Sequence, residues 1–116
     1  MTDLTAFAGS WRKTNEAPQW IERVEARVEG DALHVRIWGS DSGDWGERPA
    51  DTIYVMPADP SKGSAFLARF ILADAEVDVE ANVNLGLMVV ATWVRWTDAN
   101  GRSNTFTREF FYRGAA

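Results

Sequence analysis

The turn Trp38–Gly46 holds the residues of this chain that are best suited to contact a ligand. Its polar, glycine-rich sequence places Asp41 and Asp44 between Trp38 and Trp45. Carboxylates beside indole rings can hold a sugar or a cation, and binding residues often lie on loops of a rigid scaffold. The same residues can instead stabilise the turn, because aspartate side chains bond to nearby backbone and glycine accepts positive φ. The spacing of the carboxylates matches no calcium-binding loop.

A second candidate site is an aromatic set near the C-terminal end of the sequence. It comprises Trp93, Trp96, Phe106, Phe110, Phe111 and Tyr112. If one face of this set lines a ligand cavity, Arg95, which is in phase with Trp93, offers a polar anchor inside it. The alternative is that these aromatic residues form the core together with a subunit interface.

Few residues could assist a reaction. His34 is the only histidine, and neither a nucleophile nor an orienting acid adjoins it in the sequence. A barrel enzyme of the cyclase or isomerase kind, which works by shaping its substrate, could use His34, Arg95 or Tyr54 as a helper. Tyr54 is also a candidate ligand contact. The acidic residues between 74 and 80 include three on one strand face, which indicates a solvated face rather than paired catalytic acids.

Composition excludes several classes of function. The chain has 116 residues, no cysteine and a net charge of −5. A nucleic-acid partner would call for a basic face. Thiolate sites are impossible and a cluster of imidazole ligands is excluded, so we expect no metal and no cofactor. The N-terminal sequence lacks the pattern of a signal peptide, and no stretch reaches the ~18 apolar residues of a membrane span. We therefore expect a cytoplasmic protein without a membrane partner.

Alternation of apolar and polar residues predicts about eight β-strands and no convincing helix. The predicted strands cover residues 5–14, 20–29, 33–38, 52–56, 65–72, 77–83, 87–96 and 102–113. Short turns such as Gly30-Asp31 and Asn100-Gly101 join them as hairpins. The sequence thus predicts one all-β domain over residues 1–116, an antiparallel up-and-down β-barrel. Eight strands leave room for packed side chains or one small ligand.

The segment Leu87–Trp96 is apolar on both of its faces. A barrel interior takes only one face of a strand, so the other face must be covered by a partner or remain as an exposed patch. We expect a homodimer that forms through the hairpin of residues 87–112.

The triplet Gly9-Ser10-Trp11, with Arg108 or Arg113 on the last strand, resembles the signature of the calycin barrels, which include lipocalins, fatty-acid-binding proteins and avidins. The resemblance implies that the tryptophan closes one end of the barrel. It also implies that a basic residue of the final strand packs over this tryptophan.

The chain is also similar to a family of small uncharacterised bacterial proteins. The matching segments are Gly9–Trp11, Trp38-Gly39, Asp44–Gly46 and Trp96–Asn104. In those proteins the Trp-Gly turn is longer and carries two cysteines, both of which are missing here, so any redox role of those cysteines is absent. The family has no established activity and supports the fold more than the function.

These observations predict a small-molecule-binding β-barrel whose ligand is apolar, aromatic or sugar-like. Two alternatives stay open. One is an interaction protein with a filled barrel and no ligand, and the other is a barrel enzyme that works without a metal.

Overall fold

The computed structural model describes residues 2–16 and 20–114. Within these residues it contains nine β-strands, one short 3-10 helix at Thr5–Phe7 and no α-helix. The strands are β1 Gly9–Lys13, β2 Ile21–Glu29, β3 Ala32–Gly39, β4 Gly43–Pro49, β5 Thr52–Met56, β6 Asp59–Ile71, β7 Ala75–Asn84, β8 Leu87–Trp96 and β9 Thr105–Arg113. None of the described helical residues forms a segment long and apolar enough to cross a membrane.

All nine strands belong to one antiparallel sheet in the order β4-β3-β2-β1-β9-β8-β7-β6-β5. The first and last strands pair at its centre, where Trp11 lies opposite Arg113. Two meanders run outward from this pair, and β4 and β5 are the edges. The sheet curls into a half-barrel that brings β4 against β6, where the rings of Trp45 and Phe70 are 5.6 Å apart.

The link between β4 and β5 ties the two halves of the curled sheet together. The backbone N–H of Ala50 donates to the carbonyl of Leu33 in β3 at 2.7 Å. The next N–H, that of Asp51, donates to the carbonyl of Leu67 in β6 at 2.8 Å. The carboxylate of Asp51 also accepts the backbone N–H of Arg69 at 2.7 Å. Backbone bonds of this link thus replace part of the ladder that β4 and β5 do not form with each other.

Apolar side chains fill the concave side of the sheet. Along β8 the inner positions are Met88, Val90, Thr92 and Val94, all buried. Phe7 of the 3-10 helix packs edge-on against Phe66 at a centroid distance of 5.4 Å. The interior is therefore packed with side chains, as expected for a core of this size.

The all-β, barrel-like prediction is confirmed, but the number of strands is nine rather than about eight. The additional strand is β4, which the sequence analysis assigned to the Trp38–Gly46 turn. Glycines at both ends of the segment Gly43–Gly46 resemble turn residues, whereas here they allow a strand with a bulge. The turn itself is only residues 40–42.

Three strand boundaries differ from the prediction by three or more residues. The first strand starts at Gly9 instead of Thr5, because the residues before it form the 3-10 helix. Strand β6 begins at Asp59 instead of at residue 65. The last strand starts at Thr105, three residues later than predicted. The segment between the first two predicted strands, residues 15–19, lies partly outside the described residues.

Candidate functional site

The structure separates the two tryptophans of the Trp-Gly turn. A bulge opposite Ile37 inserts one residue into β4, and Gly46 takes a φ of 91° there. Trp38 lies on the outer face of the sheet because of the alternation along β3, and the guanidinium of Arg23 covers its ring at 3.9 Å. Trp45 turns inward and packs against the core. The predicted single mouth built from both indole rings is wrong, because the bulge changes the face on which the second ring lies.

The aspartates of the turn have different roles. Asp44 is ion-paired with Arg36 and accepts the backbone N–H of Gly46 at 2.8 Å. The hydrogen bonds from Arg36 and from the Gly46 backbone lower the pKa of the Asp44 carboxyl. Asp44 therefore stabilises the bulge of β4. Of the two roles considered for this aspartate, the contacts support stabilisation of the local backbone. Asp41 is exposed and lies beside a cleft in the barrel wall.

The cleft exists because β1 is short. The ladder between β1 and β9 ends at the pair Lys13–Phe111, and the N–H of Thr14 then donates to the carbonyl of Phe110 at 3.0 Å. Beyond that point the wall is open to a depression of about 520 Å³. We call it the side cleft. Its lining includes Trp20, Asp41, Trp96, Thr107, Arg108 and Glu109.

Indole rings form one part of the side cleft. Trp20 packs edge-on against Trp96 at 5.9 Å and against Trp45 at 6.4 Å. The guanidinium of Arg102 covers the ring of Trp96 at 3.6 Å from its centre and is ion-paired with Asp98. Trp96 is thus fixed from one side, and such stacked rings form a rigid wall. The indole nitrogen of Trp20 is buried and has no hydrogen-bond partner within the described part of the chain.

A carboxylate forms the floor of the side cleft. Glu109 is only 5% exposed. One of its oxygens accepts the backbone N–H of Ile21 at 3.3 Å, and the other accepts the hydroxyl of Thr107 at 3.2 Å. It therefore connects the start of β2 to β9 at the height where β1 has ended. Burial raises the pKa of the Glu109 carboxyl above its ordinary value, and the hydrogen bonds from Ile21 and Thr107 oppose this shift only in part.

The raised pKa of Glu109 makes stability depend on pH. The native state binds the proton of Glu109 more tightly than the unfolded state does, so this group stabilises the fold most below its ordinary pKa of 4.5. That contribution is lost as pH rises through the raised native value. We expect the free energy of unfolding of Glu109→Gln, minus that of the wild type, to increase with pH across this window. Urea unfolding of both proteins between about pH 4 and pH 8 measures this difference.

The difference in free energy of unfolding between Glu109→Gln and the wild type cancels the pH dependence that comes from other carboxylates. Asp3 and Glu22, whose pKa values are lowered, are examples, since they are present in both proteins. A pH-independent difference between Glu109→Gln and the wild type would contradict the proposed burial of an ionisable carboxyl.

The structure does not bring together His34, Arg95 and Tyr54, the residues considered as catalytic helpers in a barrel enzyme. His34 lies on β3 with its ring nitrogens 3.8 Å from Glu29 and 3.7 Å from Glu47, in an outer-face group of charges. Tyr54 is 46% exposed on the edge strand β5. Arg95 lies on β8 and is ion-paired with Glu76 on β7.

Arg95 does not lie inside the barrel, where it was predicted to anchor a ligand. Arg95 and Trp93 occupy the outer positions of β8, because their neighbours Thr92 and Val94 take the buried ones. Trp93 packs on Phe106 of β9 at a centroid distance of 5.2 Å. Neither Trp93 nor Arg95 therefore faces the core.

The base of the half-barrel is organised around Trp11. Its indole N–H donates to the carbonyl of Phe7 at 2.8 Å. The guanidinium of Arg113 lies 4.6 Å from the indole ring centre, whereas Arg108 lies over Phe110 on the outer face. A side chain at Gly9 would place its Cβ 3.1 Å from Nε of Arg113, at a φ of 134° that favours glycine.

Trp20 and Glu109 were not predicted as site residues from the sequence. A signal was available for Glu109, which lies in phase with the buried Phe111 and so had to be either a buried carboxylate or a break in the core face. Among the described residues no group of three His, Cys, Asp or Glu side chains is placed to hold a metal ion.

Comparison with known proteins finds no matching family model, no matching curated protein and no matching solved structure.

Proposed function

We propose that this protein is a small-molecule-binding β-barrel and that its ligand occupies the side cleft. The observation that carries the proposal is the combination, in one opening of the wall, of two packed indole rings and a buried carboxylate. Ligand sites are typically apolar clefts of a few hundred Å³ with a small number of placed polar groups. The side cleft has this composition, whereas the packed interior does not supply it.

The lining indicates the chemistry of the ligand. The rings of Trp20 and Trp96 offer apolar surface to a flat or aromatic group. The Glu109 carboxylate, and Asp41 at the rim, accept hydrogen bonds, so the ligand needs an N–H or O–H donor. A flat aromatic molecule with an N–H or O–H donor fits these groups, and no residue is asked to break a bond.

The proposal includes two further expectations. The barrel is calycin-like, which the stacking of Arg113 on Trp11 supports. The protein acts in the cytoplasm, in keeping with a chain that contains no cysteine.

Indole N–H signals in a ¹H–¹⁵N NMR spectrum test the proposal, with benzimidazole as the aromatic probe and methyl glucoside as the sugar probe. We expect benzimidazole to shift the signals of Trp20 and Trp96 saturably, since its ring packs on theirs. Glu109→Gln should weaken binding by about tenfold, because it removes a charged acceptor.

Trp38→Ala is the matched control, because it removes an indole from a different, outer-face groove of about 680 Å³ that also contains Arg12 and Tyr112. It should bind benzimidazole as the wild type does. Saturable shifts caused by methyl glucoside alone would assign a sugar to the cleft. If neither probe shifts the indole N–H signals of Trp20 and Trp96 saturably, the proposed function is wrong.

A further inference from the structure

The outer side of the β8–β9 hairpin carries large apolar side chains in contact with solvent. We call these residues the outer apolar face: Leu87, Val89, Trp93, Phe106, Phe110 and Tyr112. Cross-strand register pairs them directly, 87 with 112, 89 with 110 and 93 with 106. Phe106 is 55% exposed and Tyr112 is 45% exposed. Arg108 lies on the same face between these pairs, opposite Ala91, and its guanidinium is 5.7 Å from the ring centre of Phe110. An exposed and largely apolar face of this kind marks an interaction surface.

Charges of opposite sign flank this face at opposite corners. On β7, Glu76 and Asp78 lie beside the end of the hairpin that carries Trp93, and Glu80 lies two residues further along, opposite Ala91. We call these three residues the acidic corner. On β1 and β2, Arg12 and Arg23 lie beside the end that carries Tyr112, and they form the basic corner. The two ends of the hairpin are about 20 Å apart, so the corners are separate features.

We propose that a second copy of this chain binds the outer apolar face, with the acidic corner of each copy against the basic corner of the other. A two-fold axis brings the same patch of both copies together, so a surface with complementary corners can bind itself. For the acidic corner of one copy to meet the basic corner of the other, the two-fold axis must lie in the interface, midway between the two corners. It then runs along the other diagonal of the outer apolar face. The strands of the two copies then cross at nearly a right angle, which is one of the two ways in which sheets pack.

Glu80 and Arg12 are the charges best placed to pair across this interface. Glu76 and Asp78 are already paired with Arg95 and Arg69. Glu80 and Arg12 are both exposed, and within the described residues neither has an oppositely charged partner in the same chain. Two such pairs form in each dimer, because the two-fold axis repeats every contact.

A charge-swap experiment tests the arrangement by sedimentation equilibrium. The wild type should dimerise. Arg12→Glu and Glu80→Arg should each weaken self-association by about 100-fold, because each homodimer then contains two like-charge contacts. An equimolar mixture of the two variants should form a heterodimer with nearly wild-type affinity, because both contacts in it join opposite charges again.

The remaining variants separate the charges from the apolar surface. Phe110→Glu should be monomeric, since it places a charge at the centre of the outer apolar face. Asp31→Arg and Lys62→Glu make the same changes of charge at exposed positions outside the proposed interface and should dimerise as the wild type does. Circular dichroism should show unchanged strand content in every variant. A monomeric wild type, or a mixture of Arg12→Glu and Glu80→Arg that stays monomeric, would overturn the proposal. The proposed dimer does not depend on ligand binding in the side cleft, so the two proposals can fail separately.

Discussion

Replacement of Trp11 by alanine is expected to lower the free energy of unfolding by about 3–5 kcal/mol. Trp11 is 1% exposed, and its ring lies between the guanidinium of Arg113 and the core at the junction of the first and last strands. The change leaves a large cavity and removes the partner of the Phe7 carbonyl. Because native domains are stable by only about 5–15 kcal/mol, a large part of the folded population would be lost at physiological temperature.

Urea unfolding monitored by circular dichroism measures this effect. Trp11→Phe should cost less, since it keeps an aromatic ring and loses the hydrogen bond to Phe7. Tyr54→Ala, which removes an exposed ring from β5, should change stability by about 0.5 kcal/mol or less. Equal losses for Trp11→Ala and Tyr54→Ala would contradict the central position of Trp11.

Replacement of Phe70 by alanine is expected to cost about 3–5 kcal/mol as well, for a different reason. Phe70 lies on β6 and is 1% exposed, and its ring packs on Trp45 of the edge strand β4 where the curled sheet brings β4 against β6. The loss therefore combines a core cavity with a weaker contact between the halves of the half-barrel. We also expect the emission maximum of tryptophan to move to longer wavelength, because the ring of Trp45 becomes more accessible to water.

The adjacent residue supplies the control for Phe70→Ala. Ile71 follows it on the same strand and is 67% exposed on the opposite face, so Ile71→Ala should change stability by about 0.5 kcal/mol or less. A red-shifted emission in Ile71→Ala, or an unchanged one in Phe70→Ala, would argue against the Trp45–Phe70 contact as a link between β4 and β6.

Much of the fold could be predicted because most strands have one polar face. The charged residues that alternate along β2 and β7 have no place inside a core, so their period of two identifies the strands and their outer face. Segments in which apolar and polar residues alternate only weakly are difficult to assign to strands from the sequence. In β4, Gly43 and Gly46 have the composition of a turn, and only the pairing of β4 with β3 shows that they lie in a strand.

The inner and outer faces of β8 could not be assigned from its own residues, because both are apolar. The neighbouring strand resolves the question, since Asp78 pairs with Trp93 and a cross-strand pair shares one face of a sheet. With Asp78 on the solvated face of β7, Trp93 and Arg95 must lie outside. The position of Trp45 was beyond such reasoning, because a single inserted residue reverses the alternation that follows it.

The side cleft depends on long-range geometry. It exists because β1 has five residues where β9 has nine, which leaves part of β9 without a neighbour on that side. Strand lengths of this precision cannot be inferred from local sequence patterns, as the first strand shows: it was predicted to cover residues 5–14 and covers only Gly9–Lys13. Glu109 and Trp20 meet only across this gap, although they are far apart in the chain.

The pairing of β1 with β9 also has a consequence for the order of folding. While the chain emerges from the ribosome, the meander of β2, β3 and β4 can form from neighbouring segments. The strand β1, however, must wait for about a hundred residues to be synthesised before its second neighbour exists. Contacts between the two halves that do not involve β9 include the link at Ala50 and Asp51, the packing of Phe7 on Phe66 and the contact of Trp45 with Phe70. The last strand to appear is the one that completes the sheet, and we expect its pairing with β1 to be slow, because it joins segments about a hundred residues apart.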